Sequence, residues 1–235
     1  MTFFSLPSNP DLETIPIEEI HLNQQNRALL YQVLDEFKYY DSLKKFNLPI
    51  DNKILLHGHS GCGKTVTAKA IAKALNKKIL ILNLGGFVSH RLGETAKNIS
   101  SIFNQASRTN SVLFIDEFDS VGKARSDDKN DSGEMKRLVN AVIQLIDNLS
   151  NETLLICATN HIEFIDSAIL RRFQLKVEFD VPNELELNKY YNELLGRFPE
   201  SFREIKRSFN ISYAEAKDLV YREMKKHIIE SEKLK

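Results

Sequence analysis

Short apolar runs alternate with helical patterns through the middle of the chain. The runs occupy residues 54–57, 79–84, 112–115, 154–158 and 175–179, and the helical patterns 64–75, 94–107, 134–149 and 164–172. In the second helical pattern Ile99, Ile102, Phe103 and Ala106 follow the i, i+3, i+4, i+7 rule. In the third, Leu138, Val139, Val142, Ile143, Leu145 and Ile146 make a broad apolar face. Runs that are apolar throughout suit strands buried on both sides. Five of them alternating with helices predict an α/β fold, a five-stranded mainly parallel sheet between helices.

The flanks read differently. Residues 1–22, with Pro7, Pro10 and Pro16, predict an extended segment lying along a surface. From residue 23 to 46 Leu30, Val33, Leu34, Phe37, Leu43 and Phe46 recur at helical spacing, and Pro49 closes the segment. After Pro182 no strand pattern remains. Residues 184–195 and 212–229 predict helices separated by Gly196 and Pro199, and Ser212 with Glu215 three residues on forms a capping-box sequence. The expected division is 1–22, then 23–182 as the α/β core, then 183–235 as a small C-terminal all-helical lid that leans on the larger domain.

Composition narrows the function classes. Hydrophobic residues are 42% and charged residues 27%, a globular balance. The 32 basic and 32 acidic side chains cancel, which disfavours a general coat for nucleic acid but leaves room for a local basic patch. Cys62 and Cys157 form no CxxC pair, so a disulfide scaffold or zinc knuckle is not expected. The first residues lack the basic lead of a secretory signal, and no apolar run approaches the roughly 18 residues of a membrane span. A soluble, cytoplasmic protein with no membrane partner is expected.

The strongest chemical signal is Gly58-His59-Ser60-Gly61-Cys62-Gly63-Lys64-Thr65, a GxxxxGK[ST] match between a strand pattern and a helical one. Its glycines let successive backbone N–H groups face a phosphate chain, and the following helix N-terminus adds partial positive charge. Lys64 supplies a point charge for β- and γ-phosphates, and Thr65 a hydroxyl for Mg²⁺. Cys62 reads as a small loop residue rather than a redox centre.

Two further strand ends carry polar groups. The run 112–115 ends in Asp116 and Glu117: the first is placed to hold Mg²⁺ directly or through water, the second to accept a proton from an attacking water. The run 154–158 ends in Thr159 and Asn160, where the asparagine either orients water at a γ-phosphate or forms a turn before His161.

With Phe118-Asp119, Ala158-Thr159-Asn160 and Ala168-Ile169-Leu170-Arg171-Arg172-Phe173, these motifs resemble an AAA+ ATPase module, closest to the AAA clade that includes katanin and spastin. The resemblance runs from about residue 15 to the last residue. It implies a P-loop NTPase fold and a ring, usually of six subunits, with ATP between neighbours. Carried onto this chain, it makes Lys64, Thr65 and the neighbouring Val66 part of the nucleotide site, Asp116 the metal support and Glu117 the activator of water. Asn160 becomes the sensor of the γ-phosphate, and Arg171 and Arg172 the pair that reaches a neighbouring subunit's site. Read alone, those two arginines could equally serve a helix C-terminus. The resemblance also places adenine beside Ile20, His21 and Leu22, with the lid completing that pocket.

Three departures mark the family pattern. Tyr213 stands where the lid motif has glycine, which questions a close backbone approach there. Arg91-Leu92-Gly93, after His90, replaces the aromatic–hydrophobic–Gly of threading loops, and Phe87-Val88 lies earlier. An arginine favours acidic or phosphate groups where an aromatic ring would grip any polypeptide. Little chain precedes Asp51, so no large recruiting domain or attached protease is expected. The work is then expected to be ATP-driven remodelling of a protein substrate, directed by a separately encoded effector or by the core's own surfaces. A nucleic-acid loader and a slow ATP-controlled assembly switch are the alternatives.

Overall fold

A computed structural model of the chain describes residues 15–85, 92–121 and 132–233. Its strands are β1 (Lys53–Gly58), β2 (Ile79–Asn83), β3 (Val112–Asp116), β4 (Leu154–Thr159) and β5 (Leu175–Phe179). They form one sheet in the order β2-β3-β4-β1-β5, and the pairs β2·β3, β3·β4 and β4·β1 are parallel. Every residue of the central strand β4 is buried. That is why this run is apolar throughout, as a strand covered on both faces must be.

The helices are α1 (Gln24–Lys38), α2 (Tyr40–Lys45), α3 (Lys64–Ala74), α4 (Leu92–Thr109), α5 (Ser132–Asp147), α6 (Ser167–Leu170), α7 (Glu184–Leu195) and α8 (Tyr213–Lys233). On one face of the sheet Leu55, Leu113, Ile115, Leu155 and Cys157 pack with Ile99, Phe103 and Ala106 of α4 and Leu138, Val139, Val142 and Ile146 of α5. Strand residues alternate faces, so Ile54, Leu56, Phe114 and Ile156 cover the other side, and all four are fully buried. Burial pushes the Cys157 thiol well above its ordinary range, so it is an inert core group.

The helical patterns predicted at 64–75, 94–107 and 134–149 are α3, α4 and α5. Two others differ. The pattern over 23–46 breaks at Tyr39, because after Phe37 the stripe meets the half-buried Tyr40 and the exposed Asp41 instead of core residues. The pattern over 164–172 becomes a 3-10 turn, Ile162–Phe164, followed by the single-turn α6. Asp166 separates them by capping α6, its Oδ1 accepting from the Ala168 N–H at 2.6 Å. Within the N-terminal segment residues 17–19 form a 3-10 turn with Ile17 and Ile20 buried.

The chain divides into two compact units. One takes in the chain through Gly58 and Lys64–Glu178; the other joins His59–Gly63 to Phe179–Lys235. The second has its own cluster, in which Leu187, Tyr191, Leu194 and Leu195 of α7 meet Ala216, Val220 and Met224 of α8. Reciprocal caps start both helices: Asn183 with Glu186 for α7, and Ser212 with Glu215 for α8. The backbone N–H and then the hydroxyl of Ser212 hold the Glu215 carboxyl below its ordinary range.

Candidate functional site

Between β1 and α3 the backbone curls through positive φ at Gly58 (120°), Gly61 (74°) and Gly63 (105°). Residues with a side chain rarely adopt such angles, so the spacing of these glycines is a conformational requirement. Lys64 opens α3 with its side chain buried, and its Nζ donates to the Gly58 carbonyl at 2.7 Å. A cation is thus held against the loop's own backbone. His59, Ser60 and Gly61 are exposed, Cys62 is buried, and Val66 is exposed on the first turn of α3.

Thr65, one residue further on, donates its hydroxyl to Asp116 Oδ2 at 3.2 Å. Two oxygen donors from the loop-helix junction and the end of β3 are therefore adjacent. A hard divalent cation favours such ligands. The other carboxylate oxygen of Asp116 accepts the Glu117 N–H at 2.9 Å.

Glu117 sits at φ 52°, in the left-handed region that a non-glycine residue enters at a cost. Its carboxylate is exposed. Asn83 Nδ2 donates to Glu117 Oε1 at 3.4 Å, and a Cβ added at Gly85 would overlap the same carboxylate. Gly85 and Asn83 thus make room for Glu117 at the end of β2. Neither was singled out from sequence. The available signal for Asn83 is a polar residue ending an apolar run; the structure then pairs it in register with Asp116.

At the end of β4, buried Thr159 donates its hydroxyl to Asp119 Oδ1 at 2.9 Å and accepts the His161 N–H at 2.9 Å. This ties the β4 end to the 3-10 turn that follows β3 and leaves Asn160 exposed between them in sequence. Asp119 lies within a quoted motif, but its buried partner is visible only in three dimensions. Parallel pairing of β1, β4 and β3 brings their C-terminal ends to one edge of the sheet.

Arg171 and Arg172 follow α6 and behave differently. Arg172 donates to the Ala168 carbonyl at 2.7 Å and to both carboxylate oxygens of Asp147 at 3.2 and 3.3 Å. Arg171 is exposed, and no hydrogen bond among the described residues engages its guanidinium. The pair expected from the family motif is thus one tethered and one outward-facing arginine.

Near the expected adenine site, Ile20 is buried and its carbonyl accepts from Arg27 Nη2 at 2.7 Å, while His21 and Leu22 are half-buried. In the second unit the Ala214 N–H donates to the Gly61 carbonyl at 3.1 Å. The Tyr213 ring packs edge-on against Tyr190, with centroids 5.0 Å apart. The missing glycine therefore does not prevent backbone approach between the start of α8 and the loop. Phe87, Val88, His90 and Arg91 lie outside the described residues, as do residues 1–14. No described helix is long and apolar enough to cross a membrane.

Residues 54–181, more than half of the chain, match the family described as "ATPase family associated with various cellular activities (AAA)". An uncharacterized AAA family ATPase, y4kL, of Sinorhizobium fredii (strain NBRC 101917 / NGR234) is 33% identical over 92% of this chain and 66% of its own length. The ATPase family gene 2 protein homolog A of Homo sapiens is 30% identical over 78% of this chain and 21% of its own length. The 26S proteasome regulatory subunit 6A of Encephalitozoon cuniculi is 31% identical over 70% of this chain and 42% of its own length. The chain thus spans about two thirds of the first of these relatives and less than half of the other two.

Proposed function

The chain belongs to the AAA family of ATPases, and from that premise we propose that it binds ATP with Mg²⁺ and hydrolyses it to ADP and phosphate. The observation that carries this reading is the meeting of Thr65 and Asp116 beside a loop whose glycines hold phosphate-cradling angles. Loop amides from residues 58–65 and the Lys64 ammonium bind the phosphate chain. The two oxygens of Thr65 and Asp116 fit Mg²⁺ and would hold it, directly or through water. Bound there, the ion supplies charge that neutralises the phosphate oxygens.

Glu117 takes the proton of the attacking water, and Asn160 orients that water at the γ-phosphate. Arg171 reaches the site of a neighbouring copy and neutralises charge developing on its γ-phosphoryl group; Arg172 fixes the segment that presents it. Residues 23–182 form the ATPase core and 183–235 the lid, with Ile20, His21 and Leu22 beside the adenine. The active form is a homo-oligomeric ring, of six copies by the family pattern, that works in the cytoplasm and remodels a protein partner. The relative named as a proteasome regulatory subunit supports a role within an assembly.

Glu117→Gln tests the catalytic core of this reading. The variant should bind ATP with wild-type affinity while turnover falls by about 10²–10⁴-fold. Wild-type turnover by Glu117→Gln would refute the assignment.

A further inference from the structure

The phosphate loop touches the first turn of α8 at Gly61. The Gly61 carbonyl accepts the Ala214 N–H at 3.1 Å. A Cβ on Gly61 would stand 2.6 Å from Ser212 Oγ and 3.0 Å from the Ala214 Cβ. The loop residues 59–63 and α8 fall in the same compact unit. Ser212 is itself fixed, its backbone N–H and hydroxyl both donating to Glu215 Oε2 at 2.8 Å.

We propose that Ser212 and Ala214 are positioning residues for the phosphate loop, setting nucleotide affinity through Gly61 without contacting the phosphates. The inference rests on the ATP-binding reading above. Its physical basis is the planarity of the peptide joining Gly61 to Cys62. The carbonyl and the N–H of a trans peptide point in opposite directions. Pinning the Gly61 oxygen to α8 therefore turns the Cys62 N–H away from α8. That amide is one of the loop donors that must face the phosphate chain.

The contact also satisfies one of the N–H groups that the first turn of a helix leaves without an intrahelical partner. The residues on either side of 213, not 213 itself, are the ones that approach Gly61. Tyr213 points into the second unit's own cluster, against Tyr190, whereas its neighbours face Gly61. Tyr213 thus stands at the position of the family motif's glycine while the close approach to the loop is made on either side of it.

The test is a titration with a fluorescent ATP analogue, alongside steady-state hydrolysis and melting of the nucleotide-free protein. Ala214→Leu keeps helix propensity but adds bulk against Gly61. It should weaken nucleotide affinity about tenfold, the scale of one lost hydrogen bond, with KM rising to match. Its kcat at saturating ATP and its nucleotide-free Tm should stay at wild-type values. Ala214→Ser, which keeps the N–H and nearly the size, should bind as wild type.

Wild-type affinity in Ala214→Leu would overturn the proposal. So would an equal loss of affinity in Val220→Ala, which loosens the buried cluster of α7 and α8 away from the loop. Failure of the wild-type protein to bind the analogue at all would instead refute the ATP-binding reading, and this inference with it.

Discussion

The Asp116 side of the candidate site and the Arg171 side are built on opposite plans. Around Asp116 each polar group has a partner in the same chain: Thr65 on Asp116, the Glu117 N–H on Asp116, Asn83 on Glu117, Lys64 on Gly58. Around Arg171 the chain fixes the support and leaves the tip outward: Arg172 is tied to Asp147 and Ala168, while Arg171 is exposed. Groups that bind and ready a substrate gain from being pre-arranged in one chain. A group meant for another molecule must be presented, and its support fixed. Under the proposed function, the first is the half of the site that this chain would complete by itself and the second the half it would offer to a neighbour.

Three substitutions bear on that contrast, one through nucleotide binding, one through hydrolysis and one through stability. Lys64→Ala removes the cation that sits against the loop, and ATP affinity should drop at least 100-fold by titration, since charge-assisted contacts are the strong ones. Retained binding would break the account of the Asp116 side. Arg171→Ala should leave ATP affinity intact and lower hydrolysis on the order of 10³-fold, whereas Arg172→Ala should cost about 0.2–1 kcal/mol of stability, read as a small drop in Tm. The half-exposed pair with Asp147 limits that second cost. Equal effects of the two arginines on hydrolysis would erase the distinction between tip and support.

The smallest effect is acid sensitivity at the α8 cap. Because Ser212 holds the Glu215 pKa below its ordinary value of 4.5, the cap contributes fully above that pH. Its contribution is lost as the pH falls through the lower, folded-state value. Melting followed from pH 6 to about pH 3 should show a steeper acid loss in wild type than in Glu215→Gln. Identical acid limbs would show that the cap is not sensed.

Much of this was legible in sequence because the relevant constraints are local. The loop's glycine spacing encodes its φ angles, and continuous apolar runs encode two-sided burial of β1, β3 and β4. The capping box at Ser212 needs only four consecutive residues. What sequence left hidden depends on contacts between distant segments. The room that Gly85 makes for Glu117, the Thr159–Asp119 bond and the Asp147 tether on Arg172 each join residues far apart in the chain. The helix predicted over 164–172 failed for a local reason that competes with periodicity: Asp166 caps a new helix rather than continuing an old one.

The central claim is that the two halves of one working site come from two copies of the chain. Mixing Arg171→Ala protein with Glu117→Gln protein tests it directly, since each should be inactive alone for a different reason. A mixed assembly pairs an intact Glu117 from one copy with an intact Arg171 from the other at roughly one interface in four. Hydrolysis in an equal mixture should therefore recover to roughly a quarter of the wild-type rate. A mixture no more active than its separate components, under conditions where the copies assemble, would contradict the account.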